Sequence, residues 1–312
     1  MTFSGPQRRR RLAACLAVTA AVAVAVFMPD RPSFLRSTAR FHDFLHVPGL
    51  AAVTALLLVA WPLPHDASRS RQLIRLAVVF AAAVGIGVLV ELLQAAIGRR
   101  VSVGDIARDA GGAGAAVLVA ASFHARRRPA SRWALRLAAL ALAAAFAPPT
   151  VKALIDERRA SRQFPILAAF THPDELGRFE WSGATPGPLA RDRVLPLTFW
   201  PGRYPGFVLR YFPHDWRGFR RLVVTATNPD PRPLSLVVRI DDERHNQEYT
   251  DRYNGRFMMG PGRDEIRVSL EAVETAPRGR TLDLSRVSEV VIFSPGLREP
   301  RVLRLESIRL ER

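Results

Sequence analysis

Apolar and polar positions follow two different periods along the chain. Up to about residue 155 the apolar residues come in long runs, at Leu12–Met28, Phe44–Leu63, Leu73–Ile97, Ile106–Phe123 and Trp133–Ile155. With no alternation and few turn residues inside them, these runs read as helices. Most reach the ~20 residues a bilayer core requires; the first and last are Ala-rich and marginal. From about Ser161 the period changes to two. "RRLVVTATN" (Arg220–Asn228), "LSLVVRID" (Leu234–Asp241), "DEIRVSL" (Asp264–Leu270), "VSEVVIF" (Val287–Phe293) and "RVLRLESIRL" (Arg301–Leu310) are short, β-branched and bounded by Pro, Gly, Asn or Asp. The pattern predicts an all-α transmembrane bundle of about five helices over residues 1–159. An all-β jelly-roll sandwich over residues 160–312 follows, long enough to bury its own core.

Charge supports that division. Of the net +17, the first 150 residues hold 18 basic and 6 acidic residues, and the remainder holds 27 and 22. The basic excess sits between apolar runs, which is the footprint of membrane topology rather than of a nucleic-acid groove. Arg8–Arg11, Arg69, Arg71, Arg126–Arg128 and Arg132 fall in alternate connections. The opposite set holds only Arg31, Arg36, Arg40, Arg99 and Arg100. The positive-inside rule then expects a cytoplasmic N-terminus in a bacterial inner membrane and a periplasmic C-terminal domain. The first run also resembles a signal peptide, whose cleavage would leave four spans and the same external domain. "LAAC", ending at Cys15, mimics a lipobox but lies at the start of the run. With this one cysteine the chain has no intramolecular disulfide.

Costly polar residues gather in "ELLQAAIGRRVSVGDIARDAGGAGAAVL" (Glu91–Leu118). Glu91 and Gln94 share a helix face. Glu91 lies about 9 Å below the helix end at 1.5 Å per residue. Ser102 and Asp105 have the spacing of a capping box. Asp105 and Asp109 share a face, and Gly111, Gly112 and Gly114 admit a close helix neighbour. His42 and His46 flank Asp43 at the start of the second run. Two readings stand. In one, Asp105 caps a helix and Glu91 pairs with Arg99 or Arg100 to lock helices together. In the other, His46, Glu91, Gln94, Arg99, Ser102, Asp105 and Asp109 line an outward-facing pocket for a polar head group or a proton. No triad, phosphate loop or metal-ligand spacing accompanies them, and no metal or cofactor is expected.

These residues resemble the VanZ-like family of small membrane proteins. The resemblance covers about residues 35–125, through "FHDFLH", "ELLQ" and "GRRVSVGDIARDAGGAGAAV". The family usually carries an Asp-Lys pair before its His, where this chain has His42-Asp43, and an Asn before its Gly, where Asp109-Ala110 stands. The resemblance implies a cell-envelope role, one member being linked to glycopeptide resistance, and no settled reaction.

In the second half, "RIDDERHNQEYTDRYN" (Arg239–Asn254) is the densest polar segment. Alternation puts Leu236, Val238 and Ile240 on one strand face and Val237, Arg239 and Asp241 on the other. Tyr249, Asp251 and Tyr253 are likewise expected on one side. A face bearing Arg, Asp and Tyr can bond sugar hydroxyls while a ring stacks on the sugar. Arg239, Asp241, His245, Asn246, Tyr249, Asp251 and Arg252 form the candidate glycan-binding set. The alternative makes these residues solvated loop ion pairs, with Trp181 and Trp216 in the core. Asp241, Asp242 and Asp251 offer oxygen ligands for Ca²⁺, although not at a recognised loop spacing.

The segment "YPGFVLRYFPHDWRGFRRLVVTATNPDPRPLSLVVRIDDERHNQEYTDRYN", read with residues 165–312, looks like a galactose-binding-like carbohydrate-binding module. That resemblance implies non-catalytic glycan binding. The sequence therefore favours an envelope protein, more a binder than an enzyme, with the bilayer, a glycan or polysaccharide, and other envelope proteins as partners. An enzyme acting on a lipid-linked sugar, with Glu91 or Asp105 as acid or base, and a purely structural membrane partner are the alternatives.

Overall fold

A computed structural model describes residues 5–27, 35–62, 67–98, 101–124, 128–189 and 192–312. The chain is helical in its N-terminal half and a β-sandwich in its C-terminal half. It separates into two compact units, one of Met1–Pro32 and Thr38–Val151, the other of Ser33–Ser37 and Lys152–Arg312.

The apolar runs form helices α1 (Gly5–Phe27), α2 (Arg36–Phe44), α3 (His46–Ala60), α4 (Arg69–Ala96), α5 (Val103–His124), α6 (Pro129–Ala144) and α7 (Pro148–Gln163). Five membrane spans were expected; among the described residues fewer helices are long and apolar enough to cross a bilayer. By length and composition three stretches suffice: Arg36–Ala60, which joins α2 to α3, then α4 and α5. A fourth arises only if α6 and α7 act together, and these are bent by 47°. Pro148 and Pro149 explain the break, because proline has no N–H to give the preceding turn and its ring clashes with that turn. The apolar part of α1, Leu12–Val24, is shorter than a span.

Within this unit α5 packs against α3, α4 and α6. Its small residues make that possible, as the sequence expected. A Cβ at Gly112 would collide with the Val47 carbonyl oxygen of α3. Gly87 of α4 leaves room for the Asp109 carboxylate in the same way. Leu50, Val53, Ala83 and Ala113 form the apolar centre.

The second unit holds two antiparallel sheets. One comprises β3 (Ala184–Pro186), β4 (Leu195–Phe199), β11 (Arg301–Glu311), β6 (Arg221–Asn228) and β9 (Gly262–Ser269), in that order, with β1 (Ile166–Ala168) also on β11. The other runs β2 (Phe179–Ser182), β5 (Gly206–Leu209), β10 (Val287–Phe293), β7 (Leu234–Asp242) and β8 (Tyr253–Met259). A short helix, α8 (Leu270–Glu274), follows β9. The five predicted strands correspond to β6, β7, β9, β10 and β11. On β7, Leu236, Val238 and Ile240 are buried and Val237 and Arg239 half-buried, so the predicted alternation holds there. The core between the sheets includes Leu197, Phe207, Val238, Ile240, Ile292 and Leu305. Trp216 is fully buried and donates its indole N–H to the Pro213 carbonyl, which is the core role the sequence allowed it. Trp181 is half-buried and stacks on Phe179 at 5.3 Å between centroids.

Two buried carboxylates organise the entry to the sandwich. Asp156 of α7 takes a fork from Arg178, Nε to Oδ2 at 2.9 Å and Nη2 to Oδ1 at 2.8 Å, and Arg178 is wholly enclosed. Glu175 accepts the backbone N–H groups of Ala169, Phe170, Thr171 and His172 together with the Thr171 hydroxyl. Burial alone would push the Glu175 carboxyl up; the Thr171 hydroxyl and the backbone donors outweigh it and hold it below its ordinary value. This wrapped carboxylate fixes Phe170 at φ 53°, a left-handed conformation uncommon for a phenylalanine.

Replacing Asp156 by Ala removes the forked partner of the enclosed Arg178 cation and leaves it the Glu175 carboxylate at 3.9 Å and the Leu167 carbonyl. The expected cost is roughly 3–5 kcal/mol, read as a lower denaturant midpoint of tryptophan fluorescence.

Candidate functional site

The polar segment after β7 is built around one arginine. Asp242, at the end of β7, accepts Arg280 Nη1 at 2.6 Å and Nη2 at 2.8 Å, and also the Asp283 N–H at 2.9 Å. The same guanidinium reaches Asp251, through Nε to Oδ1 and through Nη2 to Oδ2 at 3.0 Å. Asp251 also accepts the Asn246 N–H at 2.9 Å, and its carbonyl meets His245 Nδ1 at 3.0 Å. Residues 243–252 are thereby folded into a tight loop. Gln247 takes φ 73° there, and Tyr249–Asp251 form a 3₁₀ turn. The Arg280 guanidinium beside Asp251 holds that carboxyl well below the usual range, against the opposing effect of desolvation. Asp242 and Asp251 in turn raise Arg280.

The outer side of this loop opens into a cleft of about 300 Å³ lined by Tyr249, Thr250, Arg252, Tyr253, Asn254, Ala272, Ala276 and Arg278. Tyr249 is 69% exposed, and the Arg252 guanidinium lies 5.4 Å from its ring centroid. Arg278 is tied to the loop by its own N–H, which donates to the Thr250 carbonyl at 2.9 Å. Asn254 Nδ2 donates to the Tyr249 carbonyl at 3.3 Å. Arg252 Nε is buried with no hydrogen-bond partner. Burial, followed by the neighbouring Arg239 cation, pushes the Arg252 guanidinium down from its ordinary value. The lining thus combines an exposed ring, two arginines and no carboxylate.

Of the seven residues expected to bind a glycan, Tyr249 and Arg252 line this cleft. The other five are not among its lining residues, and of them Asn246 is exposed while Asp241 and Asp251 are buried. Arg239 forks onto Asp241, which is 1% exposed, and its Nη2 lies 3.4 Å from Glu289. Burial, and then the Asp241 carboxylate, push Glu289 up. His245, Asn246 and Asp251 are engaged in the loop's own bonds. The expected common side for Tyr249, Asp251 and Tyr253 is corrected. The 3₁₀ turn breaks the period of two, leaving Tyr249 outside, Asp251 buried and Tyr253 half-buried. Between Asp242 and Asp251, where a Ca²⁺ ion was considered, lies the Arg280 guanidinium.

The helical unit gathers a second polar group. His46 at the start of α3 places Nδ1 3.1 Å from Asp109 Oδ1 on α5. Glu91 of α4 is 2% exposed and accepts the Ser102 N–H at 2.9 Å. Ser102 Oγ accepts the Asp105 N–H at 3.1 Å. The capping box is therefore half local. Asp105 does not return to Ser102 but bonds Arg108, and Glu91, from another helix, takes the reciprocal place. Gln94 is half-buried one turn beyond Glu91. Arg99, and its proposed pairing with Glu91, lie outside the described residues. His42 is exposed on α2 and takes no part in the group. Arg108 was not singled out from the sequence, although its spacing of three from Asp105 was a usable signal.

No family model matches the chain, so the VanZ-like resemblance rests on the residues quoted for it. No curated protein matches it either. Among solved structures, an agarase is similar at 16% identity and TM-score 0.39, over 47% of this chain and 26% of its own. A family 11 carbohydrate-binding module from Clostridium thermocellum, in complex with a mixed-linked tetrasaccharide, is similar at 10% identity and TM-score 0.37, over 47% of this chain and 94% of its own. A family 29 carbohydrate-binding module from Piromyces equi reaches 15% identity and TM-score 0.29, over 43% and 81%.

Replacing Arg280 by Ala leaves Asp242 and Asp251 facing each other, so the second unit is expected to lose roughly 3–5 kcal/mol. In the parent protein Asp251 releases its proton more readily folded than unfolded. Its stabilisation is then complete above about pH 4 and is lost as pH falls below that value. Denaturant midpoints measured from pH 6 to pH 2 are expected to fall with acidification, and to fall less steeply in Arg280→Ala.

Proposed function

We propose that this is an integral membrane protein of the bacterial envelope whose β-sandwich lies on the periplasmic side and binds, without cleaving, a glycan that bears acidic groups. The observation that carries the reading is the cleft at Tyr249. An exposed phenol ring offers an apolar face on which a sugar can stack. Beside it, Arg252 has a buried Nε without a partner, and Arg278 adds a second cation. A guanidinium held against desolvation and near another arginine gains most from an anion, and its fork suits a carboxylate or sulfate. The cleft lining supplies no pair of carboxylates of the kind that glycoside hydrolysis employs.

The arginine bias between apolar runs supports the orientation, with the N-terminus in the cytoplasm. The helical unit, VanZ-like in its Glu91, Gln94, Ser102 and Asp105 pattern, serves as the envelope anchor. A polysaccharide is the partner that an open cleft suits, since it leaves both ends of a chain free to continue.

Full-length protein in detergent is expected to bind an immobilised uronate polysaccharide, such as alginate, more tightly than neutral dextran, and less tightly as salt rises. Arg252→Ala or Arg278→Ala removes a charge-assisted contact and is expected to weaken binding about 10-fold or more. Tyr249→Ala is expected to weaken it roughly 2–10-fold. Equal binding to neutral and acidic polymers, or binding that all three substitutions leave intact, would refute the proposal.

A further inference from the structure

The polar group of the helical unit has no part in glycan binding, yet its geometry is specific. One ligand atom each from His46, Glu91 and Asp105 lies within 4.8 Å of the other two. They come from three different helices, so no local turn forces them together. Each is also held from behind by a further group. His46 Nδ1 meets the buried Asp109 carboxylate at 3.1 Å, which sets the proton on Nδ1 and leaves the lone pair on Nε2. Glu91 is held through one oxygen by the Ser102 N–H, and Asp105 through one oxygen by Arg108. Each carboxylate offers one oxygen to the group. A carboxylate behind an imidazole, and donors behind the acids, is the arrangement by which proteins orient metal ligands.

Charge points the same way. Glu91, Asp105 and Asp109 bring three carboxylates together, and among the described residues Arg108 is the cation bonded to them. Arg108 is itself shared with Asp43, 3.7 Å from its other nitrogen. Several carboxylates gathered within an apolar bundle are costly, and a dication is a compact way to hold them together.

We propose that His46, Glu91 and Asp105 bind one divalent transition-metal ion, with zinc the best match, and that Asp109 positions His46 for it. One imidazole nitrogen and two carboxylate oxygens leave a fourth tetrahedral position open to water or to a polar group of a ligand. Magnesium and calcium fit less well, because they require six or more oxygen ligands. Ligands ~2.1 Å from zinc lie ~3.4 Å apart in a tetrahedron, so the three side chains close inward by roughly 1 Å on binding. This proposal is independent of the cleft at Tyr249.

The test uses full-length protein in detergent, stripped with chelator, incubated with zinc sulfate and passed through gel filtration before elemental analysis. About one zinc per chain is expected to be retained, and His46→Ala and Glu91→Gln are expected to lose it while eluting as the parent does. Asp109→Asn keeps all three ligands and is expected to weaken zinc binding about 10–100-fold, which separates a metal site from simple helix packing should the ligand variants misfold. Cobalt loading adds a spectroscopic reading, with visible bands of a tetrahedral site in the parent and none in His46→Ala. A parent protein that retains no zinc, or zinc retained equally by the His46→Ala, Glu91→Gln and Asp109→Asn variants, would overturn the proposal.

Discussion

Two carboxylates cannot share the buried end of a β-strand unless a cation lies between them, and Arg280 is that cation. Asp242 is fully enclosed and Asp251 nearly so, and a single guanidinium bonds both. Their mutual repulsion is thereby converted into a clamp across residues 243–252. The consequence reaches the surface. With Asp251 drawn inward, the 3₁₀ turn before it presents Tyr249 outward, and Arg252 and Tyr253 follow on the cleft wall. Arg278, two residues before the clamp, is brought to the cleft lining by the same segment. The cleft is thus the outer side of a buried ion-pair network.

The same device recurs elsewhere in the sandwich. Arg178 lies across Asp156 with no exposure of its own, and Arg309 links Glu265 and Glu311 across the outer face of β6, β9 and β11. Against that background Arg252 stands out, because desolvation and Arg239 disfavour its charge and its Nε has no acceptor. A cation left short of a partner at an open cleft is a reason to look for an anionic ligand there. Inside the helical unit, among the described residues, His46, Glu91 and Asp105 from three helices bring ligand atoms together, and the inference there is a metal cation.

Much of this architecture was legible in the sequence. Strands β6, β7, β9, β10 and β11 were readable because each is seven residues or longer and rich in β-branched and apolar residues. Strands β1 to β5 are only three to five residues long, too short for a period of two to register. Strand β8 is half-exposed along most of its length and reads as loop. Tyr249 and Arg252, which line the cleft, were named from the sequence because they lie in its most polar segment. Arg278 and the α8 residues were not, because only tertiary folding brings them to the cleft. Period-two reasoning failed at Asp251, where Arg280, 29 residues away, pulls the chain into a turn. The break between α6 and α7 was written in Pro148-Pro149, a signal that the apolar composition on either side concealed. His46 and Asp109, 63 residues apart, were assigned to one pocket from the sequence, but only the packed helices show that they meet directly, at 3.1 Å.

The central claim is that an acidic glycan occupies the cleft at Tyr249. Its most direct test is hydrogen exchange of the full-length protein, read by mass spectrometry, with and without a saturating uronate oligosaccharide. Slower exchange confined to peptides covering residues 249–254 and 272–278 is the predicted result. No change in those peptides under saturating ligand, or protection centred on another face of the sandwich, would contradict the account.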